Sequence, residues 1–191
     1  MHYICEKTMR KKIVITVAVA LLFNYALPQR CNVCAEIKHV QDVPYMPELQ
    51  GDCPDSVYWC FVRKGLDMVP SLIDCINSTD STQIMIPNWG GHYTVGDIAF
   101  AIICDIIHDL PIQDFFLNGV VDERDNSPIT YHSFVSSSEG NRRILQRQLR
   151  RWYRKNRHCL IWITDDSEWR TADDCWWTTN KHPAGGYFKA K

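Results

Sequence analysis

Six cysteines, Cys53, Cys60, Cys75, Cys104, Cys159 and Cys175, are spread over most of the chain beyond residue 50. Whether they can close into bridges depends on compartment, because disulfides persist in oxidising surroundings and are rare in reducing ones. The N-terminus speaks to this. Lys7, Arg10, Lys11 and Lys12 make a basic start, and Ile13 to Leu27 is an apolar run in which Thr16 and Asn24 are the clearly polar residues. A short polar stretch then ends in Val33-Cys34-Ala35. That succession predicts a secretory signal peptide over residues 1–35, cut before Glu36. A membrane-spanning helix needs about 20 apolar residues, more than this run supplies. The expectation is one secreted, extracellular, disulfide-bonded domain over residues 36–191.

Loss of the leader removes Cys5, Cys31 and Cys34, and with them the isolated Cys31-Asn32-Val33-Cys34 pair. The six cysteines named above remain, an even number that predicts three bridges whose pairing the sequence leaves open. Asn77-Ser78-Thr79 is a glycosylation sequon on the same route.

Along the chain, helical and strand-like segments alternate. Asp55 or Ser56 caps a helix broken by Gly65 and Pro70 that ends near Cys75. Gln83–Ile86 reads as a short buried strand closed by Pro87. Thr94 and Asp97 have the spacing of a capping box, and the largely apolar helix they start is expected to run to Leu110, where Pro111 stops it. Leu117–Val121 and Ile129–Val135 are strand candidates, the second rich in β-branched and aromatic residues. A charged helix spans about 139–156, and Cys159–Thr164 is the clearest strand. The tail, with Trp169, Trp176, Trp177, Tyr187 and Phe188, reads as irregular, with its aromatic pairs as a possible sugar or partner contact. The alternation favours an α/β domain with a small, largely parallel sheet flanked by helices and stabilised by disulfides. The alternative is an α+β fold with Ile129–Val135 in a hairpin.

The strongest functional signal is a segregation of charge. Arg142, Arg143, Arg147, Arg150, Arg151, Arg154, Lys155 and Arg157 fall within one short window that holds no acid. Without the leader the chain has 16 basic and 21 acidic residues, so half of its cations lie in this window. On a helix, Leu145, Leu149 and Trp152 share one face, and Arg143, Arg147, Arg150 and Arg154 line the opposite one. Arg143, Arg147, Arg150, Arg151 and Arg154 are the candidate binding residues, since a guanidinium fork matches sulfate, phosphate or carboxylate. An acidic protein, a sulfated glycan or an anionic membrane surface suits them. Nucleic acid suits them least, because the secreted chain is acidic overall and carries no nucleic-acid-binding motif. The competing explanation is a merely solvated charged helix.

Two further constellations are weaker. In a parallel sheet the strand ends share one edge, which would gather Asn88, His92, Asp122, Glu123, Asp165 and Asp166 into a metal-assisted hydrolytic site. Asp97, Asp105, His108 and Asp109 form a polar stripe on the apolar helix. No nucleophile elbow, P-loop, HExxH or dinucleotide fingerprint occurs, so no catalytic residue, metal ligand or cofactor is assigned. The sequence reading is therefore an extracellular binding or effector protein contacting an anionic or acidic partner through its arginine helix, with a small secreted hydrolase as the alternative.

Overall fold

The helix predicted from Thr94 organises the molecule. In the computed structural model, which describes residues 32–41, 43, 56–86, 90–115, 128–164 and 184–191, it spans Val95–Ile106. Ten of its residues are buried, from Val95 through Ile103 and again at Ile106. Four helices precede or follow it closely enough to be set in order: α1 (Val33–Ile37), α2 (Ser56–Lys64), α3 (Val69–Cys75) and, after the central helix α4, the short α5 (Ile112–Phe115). Next come α6 (Pro128–Ser137) and α7 (Glu139–Asn156). Helices α1, α2 and α3 pack against α4, and α7 packs against α3, α5 and α6. Tyr58, Phe61, Leu72, Ile73, Ile98, Ile102, Ile103 and Leu145 sit at the centre, each at most 2 % exposed.

The capping box is present as the sequence predicts. Asp97 N–H donates to Thr94 Oγ1 (3.2 Å), and the Asp97 carboxylate accepts from Thr94 N–H (2.8 Å). Two more donors of the first turn are met from outside: Val95 N–H donates to the Asp80 carbonyl (2.8 Å) and Gly96 N–H to the Ser78 carbonyl (3.2 Å). The turn after α3 can approach that closely because residue 96 has no Cβ. A methyl there would lie 2.4 Å from the Ile76 carbonyl oxygen.

The far end of α4 departs from expectation. It stops at Ile106 rather than Leu110, because Ile107 adopts an extended conformation and bridges to Phe188. His108 N–H donates to the Phe188 carbonyl (2.9 Å), and Asp109 takes a positive φ of 57°. Pairing with a strand from the C-terminus ends the helix before Pro111 can.

The sheets also differ from the predicted arrangement. Strand β1 (Ser81–Met85) pairs antiparallel with β2 (His92–Thr94), and β3 (Leu160–Thr164) pairs antiparallel with β4 (Gly186–Ala190). These are two separate two-stranded sheets, so the expected largely parallel sheet is not found and a mixed α+β fold is. Ile129–Val135, expected as a strand or hairpin, belongs to α6; its apolar residues Phe134 and Val135 are buried there, as is Tyr131. Leu117–Val121 lies outside the described residues. Strand β1 is no buried strand either: Thr82 points inward, while Met85 is 66 % exposed. The strand over 160–164 is present, and its partner comes from the tail that reads as irregular: Trp162 lies opposite Phe188, ring centroids 5.0 Å apart.

One disulfide occurs among the described residues, Cys34–Cys75, joining α1 to α3. Cys75 is among the six cysteines expected to pair, but its partner is a residue assigned by sequence to the leader. The compact unit to which these helices belong begins at Val33.

Candidate anion-binding surface on the arginine helix

Ser138 caps the start of helix α7, its side chain accepting from Gly140 N–H (3.2 Å). Its buried face is Arg142, Leu145, Leu149 and Tyr153, recurring at the three- and four-residue spacing of one helical stripe. Trp152, expected on that face, is half-buried at its border with its ring edge-on to Phe115, and Tyr153 takes the inner position, donating its hydroxyl to the Leu66 carbonyl (2.9 Å). Gln146 Nε2 donates to the carbonyls of Ile73 (2.9 Å) and Asp74 (3.0 Å) at the end of α3, where the Ile73 carbonyl also accepts from Ile76 N–H (3.3 Å).

These contacts fix which cations face outward. Arg142 does not: its guanidinium donates to Asp97 Oδ1 (2.8 Å) and is directed at the Tyr131 hydroxyl (3.4 Å), which itself donates to Asp97 Oδ1 (2.8 Å). Burial, and then the Asp97 charge, push the Tyr131 hydroxyl well above its ordinary pKa, keeping it a donor. His132, beside the Tyr131 ring, is held below its usual value chiefly by burial. Arg150, expected in the outward stripe, pairs with Asp74 (2.5 Å) and stays partly exposed. Arg151 takes its place. Arg143, Arg147, Arg151 and Arg154 are exposed, and none of the four pairs with a carboxylate among the described side chains, which do not include that of Glu139. At the helical rise they span ~16 Å along one line, in steps of ~4.5–6 Å. Lys155, Arg157 and His158 continue the exposed basic surface at the C-terminal end.

The other constellations are not assembled. Without a parallel sheet there is no common strand-end edge. His92 is exposed on β2; Asn88, Asp122, Glu123, Asp165 and Asp166 lie outside the described residues. No group of three metal-ligating side chains occurs among the described residues. The predicted polar stripe is divided among separate contacts, with Asp97 and Asp105 on α4 and His108 and Asp109 beyond its end. Asp97 holds Arg142. Asp105 accepts from the Tyr58 hydroxyl (2.5 Å); burial raises its carboxyl to about 7, with the Tyr58 hydrogen bond acting in the opposite direction. His108 stacks on Tyr187, centroids 3.8 Å apart. Asp109 pairs with Lys189 (2.5 Å), and that hydrogen bond draws its carboxyl below the usual range.

Of the other cysteines, Cys60 on α2 and Cys159 before β3 are exposed and form no bridge among the described residues; Cys104 is partly buried on α4, and Cys53 and Cys175 lie outside them. Asn77 is exposed in the turn after α3. Trp169, Trp176 and Trp177 are outside the described residues. Sequence reasoning missed the Asp97–Tyr131–Arg142 cluster. The one available signal was that Arg142 shares a helical face with Leu145 and Leu149, and so belongs with the core.

No family model, no curated protein and no solved structure matches the chain.

Proposed function

We propose that this is a secreted binding protein that engages a polyanion, with Arg143, Arg147, Arg151 and Arg154 as its contact line. The carrying observation is that these four guanidinium groups share one exposed face with no described carboxylate against them. Like charges at four-residue spacing destabilise a helix, so the stripe carries a stability cost that a ligand would offset. Their linear arrangement suits an extended chain of sulfates, such as a sulfated glycan, better than a flat surface, and each planar fork can take an anionic group with two hydrogen bonds. The exposed sequon at Asn77 and the Cys34–Cys75 bridge support an extracellular setting, with Asn77 as the glycan attachment point.

The test is heparin chromatography at about 0.1 M salt, where charges still interact over ~10 Å, followed by a salt gradient. The wild type should be retained and elute steeply with salt, and the R143Q/R147Q/R151Q/R154Q variant should flow through with unchanged circular dichroism. A wild type that flows through, or a variant retained as strongly as wild type, would refute the assignment. Retention on anionic vesicles but not on heparin would make a membrane surface the partner instead.

A further inference from the structure

The expected leader cut, before Glu36, falls inside helix α1. Val33 and Ile37 of this helix are buried at 6 % and 0 % exposure, and Val40 just beyond it at 1 %. The helix packs against α2, α3 and α4. Cys34 is bonded to Cys75, itself 1 % exposed, and Lys38 pairs with Asp80 at 2.7 Å. A cut before Glu36 would remove three of the five residues of α1. It would leave the Cys75 sulfur in the core without its partner and expose the apolar surface that Val33 covers.

We infer that the secreted protein keeps Val33 and Cys34, and that processing occurs upstream of Val33, in the polar stretch between Leu27 and α1. This rests on the reading of the first residues as a leader. The residues that imitate a cleavage pattern have another reason to be there. Val33 is apolar because it faces the core, and Ala35 lies on the exposed side of a helix, where alanine is the best helix former. The inference changes the cysteine arithmetic. With Cys34 retained and bonded to Cys75, a cut after Cys31 leaves Cys53, Cys60, Cys104, Cys159 and Cys175, an odd set in which at least one thiol stays unpaired within the chain. A cut before Cys31 restores an even set. The exposed positions of Cys60 and Cys159 make a leftover thiol open to labelling.

The experiment is secretion of the full chain, N-terminal sequencing of the product and non-reducing peptide mapping. A first residue between Pro28 and Val33, together with a Cys34–Cys75 peptide, is the expected result. A first residue at Glu36 or later in folded protein would overturn the inference and leave the leader reading intact. Residues 1–27 still attached would overturn both. As a second measurement, two chains are secreted from an unrelated leader, one starting at Asn32 and one at Glu36. The first should unfold cooperatively and resist protease. The second should melt at a markedly lower temperature or be degraded, and equal melting of the two would also overturn the inference.

Discussion

The Arg142 guanidinium and the Asp97 carboxylate are buried together, 2.8 Å apart, with 10 % and 4 % of their side chains exposed. One belongs to the most basic segment of the chain and the other to the capping box of its most apolar helix. The pair, completed by Tyr131, ties α7 and α6 to the start of α4. Removing one partner of a buried pair leaves an uncompensated charge and costs about 3–5 kcal/mol. Arg142→Met should therefore destabilise by that order in urea unfolding, while Arg143→Gln should stay within about 0.5 kcal/mol. Equal effects of the two substitutions would mean that Arg142 is not held as described.

Asp105 makes stability depend on pH in a defined window. Its carboxyl is raised from 3.8 to about 7 by burial. The folded state thus holds a proton that the unfolded chain releases. Below pH 3.8 both states are protonated, and the contribution is fully present; it declines as pH rises and is lost once pH passes about 7. Melting temperatures of wild type minus Asp105→Asn should fall between pH 4.5 and 7.5. A flat difference would show that Asp105 titrates normally.

The Cys34–Cys75 bridge spans a sequence separation of 41. Closing a loop of that length stabilises by about 4 kcal/mol in the chain-entropy description. Cys34→Ser should lower stability by up to that order. Cys60→Ser, at an exposed site, should change it by no more than about 0.5 kcal/mol. Guanidinium unfolding of both variants without reductant makes the comparison.

Gly96 offers a test against helix propensity. Alanine is the better helix former by about 1 kcal/mol, which alone would predict stabilisation. A Cβ there would meet the backbone oxygens of Ile76 and Ser78 at 2.4 and 2.8 Å, and backbone cannot swing aside as a side chain can. Gly96→Ala should destabilise by about 1–3 kcal/mol, the usual range for overpacking. An unchanged or higher melting temperature would show that the turn after α3 is free to move.

Features set by neighbours along the chain were legible from residues alone. The Thr94–Asp97 cap, the apolar stripe of α4, the strand over 160–164 and the charged helix of α7 each follow from spacings of a few residues, because helix and strand periodicities act over that range. Features set across the chain were not. Ile129–Val135 has strand-like composition, yet it forms helix α6, where Tyr131 reaches Asp97 and stacks on Phe100 at 4.4 Å. Strand β4 lies far along the chain from the Ile107 it stops, and Cys75 finds its partner in a segment whose composition resembles the end of a leader. In the basic run, the seven arginines are indistinguishable by type. Packing separates them: Arg142 meets Asp97, Arg150 meets Asp74, and Arg143, Arg147, Arg151 and Arg154 are left facing water. Which cation is buried depends on where another helix places a carboxylate, and that is a property of three-dimensional contact rather than of sequence spacing.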